Sequence, residues 1–217
     1  MKKTLLSAII LGMLWVAPAM AQIYAVDTLD INNVRAVFNS TGINFSSQYN
    51  SFYEVPKGSG QKTVSCNTLW MAGWDINGQW KLAGGIASSA GKDYYPGPLS
   101  TDGTASTDSA TMALWNKVWK VTKAEIDYHR LHYTDGGYIC PPHILNWPAH
   151  GNPAVNQAQW LAPFWDVNGD QNYNPAQGDY PLIRGDEAVF FIFNDRGGLH
   201  YAHRRNFIRC RDSRHGL

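Results

Sequence analysis

The sequence is short of the residues that announce common chemistries. It holds three cysteines, Cys66, Cys140 and Cys210, and none stands in a CxxC pair, so a zinc knuckle and a dithiol redox motif are both excluded. No serine sits in a G-x-S-x-G elbow. No glycine-rich stretch has the strand–GxGxxG–helix or GK[ST] context that cradles a phosphate. Charge is sparse, at 16% of residues, and nearly balanced, with 18 basic against 17 acidic side chains. Long stretches of helical period are missing. So is any apolar run of the roughly 20 residues needed to span a bilayer.

The positive signals begin at the ends. Lys2 and Lys3, the apolar run Thr4–Val16 and the small-x-small triplet Ala19-Met20-Ala21 form the three parts of a secretory signal peptide over residues 1–21, with Gln22 as the new first residue. The chain is therefore expected to be secreted or displayed at the cell surface. The stretch Ala202–Leu217 has a different character, with five arginines, two histidines and Cys210 and no hydrophobic period. One reading is a basic tail for an anionic partner. The reading we prefer is a frame-shifted end: one back-translation of Ala202–Gly216, moved by a single base, reads HTGGTSSGVEIHGMA, an ordinary globular continuation. The domain, residues 22–201, is then expected to be truncated. Leaving out Lys2, Lys3, the five tail arginines and Asp212 gives 11 basic against 16 acidic residues, a net −5. That balance does not suggest a nucleic-acid surface.

The nine tryptophans, 11 tyrosines and 20 glycines suit short strands and many turns. Asn33–Asn39 alternates as a half-buried strand does, Phe52–Pro56 is a second extended piece, and Trp115–Val121 a third. Leu69–Asp75 and Gln79–Ala83 flank Ile76-Asn77-Gly78 and predict a hairpin, because Asn and Gly both tolerate positive φ. Residues 84–108 read as loop. Thr122 with Glu125 three residues on predicts a capping box and a helix to about Leu131. Prolines break Pro141–Pro163 into short turns. Val189–Phe193 is a continuous apolar run, the pattern of a buried strand. The fold expected is a β-rich α+β domain of antiparallel sheets, sandwich-like, with one short helix and long loops. Cys66 and Cys140 either pair, as export permits, or remain two free thiols.

The strongest chemical signal is Asp166-Val167-Asn168-Gly169-Asp170-Gln171-Asn172, followed by Asp179. Oxygen side chains at positions 1, 3 and 5 match the opening of a calcium loop, and position 7 ordinarily offers a main-chain carbonyl. The expected ligand set is Asp166, Asn168, Asp170 and Asn172, with Asp179 closing the shell and calcium in a structural role. Two departures stand out: Gln171 where glycine ordinarily makes the sharp turn, and Gln177 where a bidentate Glu is ordinary. An Asx-rich turn without metal is the plain alternative. Asp75-Ile76-Asn77-Gly78 repeats the D-x-N-G text, but alternating strands on both sides favour a hairpin.

Other groups carry less. His129 and His132 share a predicted helix face, without the third ligand that zinc needs. His143 and His150 lie in the proline-broken segment without ligand spacing. Asp127, Asp135, Asp186 and Glu187 are carboxylates that a glycosidase could use, but the sequence pairs none of them. Cys140 precedes two prolines and has no evident base. Trp70, Trp74 and Trp80 cluster in the hairpin, with Trp115 and Trp119 beside another strand. Such rings either pack a core or stack on sugars. Arg184-Gly185-Asp186 spells an adhesion tripeptide by chance-level text. No catalytic constellation emerges.

Several segments together resemble a family of secreted Bacteroidetes proteins that often carry a C-terminal sorting domain for type IX secretion. They are NNVRAVFNSTG (Asn32–Gly42), FYEVPKGSG (Phe52–Gly60), LWMAGWDINGQ (Leu69–Gln79), YYPGPL (Tyr94–Leu99), WNKVWKV (Trp115–Val121), APFWDVNGDQNYNPAQGDYP (Ala162–Pro181) and GDEAVFFIFNDRGG (Gly185–Gly198). The resemblance stops near Tyr201, where similar sequences continue with a glycine-rich apolar stretch. It implies a large surface or secreted protein, calcium-stabilised and adhesive; a sorting domain is not found in these residues. The expected partners are an extracellular protein or a glycan. The alternative is a secreted carbohydrate-binding or carbohydrate-hydrolysing protein.

Overall fold

The computed structural model describes residues 24–47, 50–85 and 93–198. The signal peptide with its cleavage point at Ala21 and the arginine-rich tail with Cys210 lie outside the described residues. The fold is β-rich, built from short antiparallel strands with few helices, as the turn-rich composition implied. In chain order the elements are β1 (Val26–Leu29), β2 (Arg35–Asn39), β3 (Ser46–Ser47), β4 (Asn50–Ser51), β5 (Tyr53–Glu54), β6 (Lys62–Val64), β7 (Trp70–Trp74), β8 (Trp80–Gly84) and β9 (Tyr95–Pro96), then α1 (Ser109–Leu114), β10 (Trp119–Thr122), α2 (Lys123–His132), α3 (Pro142–Leu145), β11 (Phe164–Trp165), β12 (Tyr180–Pro181), β13 (Glu187–Phe190) and β14 (Phe193–Asn194).

The largest sheet runs β1-β2-β5-β6. Its inner strand β2 buries Ala36, Val37 and Asn39, and pairs Ala36 with Leu29 on one side and with Tyr53 on the other. Among the described residues the remaining strands form two-stranded pairs: β3–β4, β7–β8, β9–β14, β10–β13 and β11–β12. Two-stranded ribbons are marginal alone, so packing between them must hold the fold. The main core does this around β10, α2 and α3, where Val121, Ile126, Ile144, Trp147, Ala149 and Ala162 are buried.

Helix α2 starts as its residues dictate. The Thr122 hydroxyl accepts from the Glu125 N–H, and the Glu125 carboxylate takes the Thr122 N–H at 2.9 Å, a full capping box. Burial pushes the Glu125 carboxyl up, but Thr122 and His143 outweigh it and hold it below its ordinary value. A second device ties the N-terminal strand to the centre. Lys120 Nζ reaches Glu187 at 2.7 Å and Asp30 at 3.1 Å, and the other Glu187 oxygen accepts the Asp30 and Ile31 N–H groups.

Two expectations are corrected. The strand expected over Trp115–Val121 begins only at Trp119, because α1, capped by the Asp108 side chain on the Thr111 N–H, runs to Leu114 and ends on Trp115. The apolar run Val189–Phe193 is two strands rather than one, and β13 is half-buried rather than fully covered. It divides because Val189 pairs with Lys120 while Phe193 pairs with Pro96, in different sheets. Of the two alternatives for Cys66 and Cys140, a disulfide or two free thiols, the structure has the second.

Candidate cation loop

Strands β11 and β12 pair Phe164 with Pro181 and Trp165 with Tyr180, and so hold the two ends of the Asp166–Asp179 segment together. The Trp165 and Tyr180 rings stack at 6.4 Å, with the Arg130 guanidinium 5.1 Å from the Tyr180 ring. Above this base the side chains fold the loop on itself. Asp166 Oδ1 accepts the Gly169 N–H and Oδ2 the Gln171 N–H, each at 2.7 Å. Asn168 Oδ1 accepts the Asp170 N–H at 3.0 Å, and Asp170 Oδ1 the Asn172 N–H at 2.7 Å. The Asn172 N–H, with the Asn168 amide, holds the Asp170 carboxyl below its ordinary value. Short polar side chains bond to nearby main chain in just this way, which is why these residues favour turns over strands.

Both departures from the calcium pattern have a place. Gln171 adopts φ of 66°, the left-handed conformation that glycine ordinarily supplies at the sharp turn. The Gln177 side chain points back and accepts from Asn168 Nδ2 at 2.9 Å. Asp179 is fully buried, and its two oxygens accept the Val167 and Asn174 N–H groups, both at 2.8 Å. It braces the two arms of the loop from beneath. The Asn174 side chain in turn caps a short 3₁₀ turn at Pro175–Gln177. His150, one of the unplaced histidines, receives the Tyr173 N–H on Nε2 at 2.9 Å. Nothing in the sequence marked that contact, because 23 residues separate the partners.

The loop thus brings together Asp166, Asn168, Asp170 and Asn172 on one exposed turn, with Asp179 beneath. Among the described residues no group of three or more His, Cys, Asp or Glu side chains is gathered tightly enough to hold a metal by itself. The side-chain oxygens on the turn are instead those of two carboxylates, Asp166 and Asp170, and of the Asn168 amide. All are hard oxygens of the kind calcium takes. Each Asp166 oxygen accepts one N–H and keeps a second lone pair. These residues fit a hard cation on that ground.

The other candidates separate. His129 is fully buried, with Nδ1 2.7 Å from the Tyr138 hydroxyl, whereas His132 bonds Asp135 at 2.7 Å on the surface. The two do not form a metal pair. Cys140 Sγ lies 3.9 Å from His129 Nδ1, a base that the sequence hid. Burial pushes that thiol up, pushes the Tyr138 phenol up to about 12 and pushes the imidazole down. The cluster is therefore neutral, not the thiolate–imidazolium pair of a cysteine nucleophile. Asp127 pairs with Lys123 and Arg130, Asp135 with His132, and Glu187 with Lys120. Arg184, Gly185 and Asp186 form an exposed bend before β13. His143 is bonded to Glu125 at 2.7 Å.

In the β7–β8 hairpin, Trp70, Ala72 and Trp74 share a face with Trp80 and Leu82 by the alternation of a pleated strand. Trp74 and Trp80 meet edge to face at 5.0 Å, and the Trp70 indole lies over Gly84, where a Cβ would stand 3.0 Å from the ring. Trp74 is 61% exposed, and Trp70 and Trp80 about half. By contrast Trp115 is buried and packs on Trp119 at 5.6 Å. Among the described residues no helix is long and apolar enough to cross a membrane. Comparison of the chain with family models, with curated proteins and with solved structures finds no match.

Proposed function

We propose that this chain is a non-enzymatic, calcium-stabilised module, secreted or held at the cell surface, that serves structure or adhesion. The observation that carries the reading is the Asp166–Asp179 loop, which folds Asp166, Asn168 and Asp170 onto one exposed turn and makes its sharp bend at Gln171. Asp166 and Asp170 supply charge, Asn168 a neutral oxygen and Asn172 its carbonyl. Asp179 fixes the frame from within. A bound calcium supplies the positive charge that offsets repulsion between the two outer carboxylates. The signal-peptide text supports export, and the surface proteins that the sequence resembles point the same way.

The test is thermal unfolding with calcium and then with chelator. Extracellular sites bind at about 10⁻⁴–10⁻³ M, and ten times Kd stabilises by about 1.4 kcal/mol. For a domain of this size that is roughly 3–6 °C in Tm. The Asp170→Ala variant is expected to lose the shift. An unchanged midpoint in the parent protein sinks the reading.

A second reading, a carbohydrate-binding or carbohydrate-hydrolysing protein, is favoured by the exposed Trp70, Trp74 and Trp80 face, since aromatic faces with polar rims stack on sugars. A glycan array with a hydrolase screen separates the two. Binding lost in Trp74→Ala supports a sugar-binding module, and turnover abolished by one carboxylate substitution overturns the non-enzymatic reading.

A further inference from the structure

We infer that Asn77 is a self-modifying site, where the Gly78 main-chain nitrogen turns the side-chain amide into isoaspartate, and that the hydrogen bonds of the Asp166–Asp179 loop protect Asn168 from the same reaction. Asn-Gly occurs twice in the chain, at Asn77-Gly78 and at Asn168-Gly169. In both pairs the two residues are exposed, and beyond its chain neighbours neither glycine has a heavy atom within 4 Å of where a Cβ would stand. Access to water and open space therefore do not tell the two apart. Hydrogen bonds do.

The reaction uses only the chain and water. The Gly78 nitrogen attacks Asn77 Cγ, a C–N bond forms, the Cγ–Nδ2 bond breaks, and ammonia leaves with the proton that Gly78 gives up. The five-membered imide then takes up one water. Opening at the Asn77 main-chain carbonyl breaks its bond to Gly78 and leaves the chain running through Cγ, with the old main-chain carbonyl now a carboxylate side group. Glycine in second place matters because it has no Cβ to hinder the approach.

What stands in the way at each site is the bonding that must first be released. At the hairpin tip the Gly78 N–H donates to the neutral Asp75 carbonyl at 2.9 Å, and no side-chain hydrogen bond among the described residues holds the Asn77 carboxamide. The strand ladder stops at Trp74–Trp80, so Asn77 and Gly78 lie outside it. In the loop the Gly169 N–H donates to Asp166 Oδ1 at 2.7 Å, and a carboxylate holds an N–H roughly twice as strongly as a neutral acceptor does. The Asn168 amide is tied at both ends. Its Nδ2 donates to Asp170 Oδ2 and to Gln177 Oε1, each at 2.9 Å, and its Oδ1 accepts the Asp170 N–H at 3.0 Å. The attacking nitrogen and the carbon it must reach are both fixed there. At the hairpin the product adds a negative charge and a main-chain methylene beside Asp75 and the Trp74–Trp80 ring pair.

The experiment uses the full chain, free of metal throughout, so its outcome does not depend on the calcium reading. The chain is aged in neutral buffer, folded in one series and unfolded in guanidinium in the other. Peptide mapping by mass spectrometry reads the amide-to-acid change at each asparagine, and electron-transfer fragmentation tells isoaspartate from aspartate. In the folded series Asn77 is expected to convert at least about tenfold faster than Asn168, mainly to isoaspartate. In guanidinium the two rates are expected to converge, because both side chains then face a free glycine N–H. Folded Asp166→Ala, which releases the Gly169 N–H, is expected to speed Asn168 about fivefold and to leave Asn77 unchanged. No conversion at Asn77, equal rates in the folded chain, or a folded ratio that persists in guanidinium overturns the inference. So does aspartate without isoaspartate at Asn77, which means direct hydrolysis by water, or an Asn168 rate that Asp166→Ala leaves where it was. The folded and unfolded series decide between these outcomes without any variant.

Discussion

The same four-letter text, D-x-N-G, occurs twice and folds two ways. In Asp75-Ile76-Asn77-Gly78 a single oxygen, Asp75 Oδ1, accepts the Asn77 and Gln79 N–H groups, and the Asp75 N–H closes on the Gln79 carbonyl. The chain reverses at once into paired strands. In Asp166-Val167-Asn168-Gly169 the load is spread: Oδ1 takes Gly169 and Oδ2 takes Gln171. The fourth residue is alike in both, with φ of 72° at Gly78 and 75° at Gly169. The difference lies beyond that glycine. Gly78 leads to a strand that pairs Trp80 with Trp74, whereas Gly169 leads to a second left-handed residue, Gln171, and then to Asp179 far below. The motif specifies one turn, and the residues after it decide between a hairpin and a cage.

The contrast is largest at Asp179, which has no counterpart in the hairpin. Asp179→Ala strips two part-buried main-chain N–H groups of a fully buried acceptor, and we expect a loss of about 3 kcal/mol in chemical unfolding. A change below about 0.5 kcal/mol, the scale of a surface substitution, means that the loop closes without its brace. Next in size is Asp166→Ala, expected to cost about 1–2 kcal/mol, since two N–H groups lose a charged acceptor but regain water. The same substitution at Asp75 is expected to cost less, because β7 and β8 keep their pairing around it. Equal costs at the two sites contradict the distinction between them.

The left-handed positions probe the contrast from the other side. Gly78→Ala places a Cβ at positive φ and is expected to cost about 1 kcal/mol. Gln171→Gly relieves the same strain and is expected to gain about 0.5 kcal/mol, after the extra chain entropy of glycine is set against it. Differential scanning calorimetry on the two variants reads opposite signs. A destabilising Gln171→Gly would show that the Gln171 side chain contributes more than its backbone strain costs.

Much of this was legible in local text. Thr122 and Glu125 announced α2, alternation announced the hairpin, and the spacing of Asp166, Asn168 and Asp170 announced a folded oxygen-rich turn. Even the hairpin was right for a partly different reason: Gly78 alone of Asp75–Gln79 takes positive φ, so the turn is a three-residue loop with a left-handed glycine, not a two-residue turn with both residues left-handed. The hidden features depend on partners distant in the chain. Whether Val189–Phe193 is one strand or two is settled by Lys120 and Pro96. The value of His150 depends on Tyr173, and that of Cys140 on a histidine 11 residues earlier in the chain. Helix α1 escaped notice because six residues have too little length to show a period.

The finest comparison is between two exposed carboxylates held by main chain. The Gln79 N–H, with Lys81, draws Asp75 below its ordinary value, and the Asn172 N–H, with Asn168, does the same to Asp170. A carboxyl whose folded value lies below its unfolded one stabilises the fold above the unfolded value, near pH 4, and that contribution is lost as pH falls through the folded value. Both are therefore expected to titrate below the ordinary carboxyl range when followed by carboxyl ¹³C shifts, and both to weaken the fold only in acid below about pH 4. Calcium separates them. Added at millimolar concentration, it is expected to depress the Asp170 midpoint further and to leave Asp75 where it was, since a nearby cation favours the ionised form. Equal movement of the two would show that calcium acts on the protein through general screening, and the identical text of the two turns would then carry identical chemistry as well.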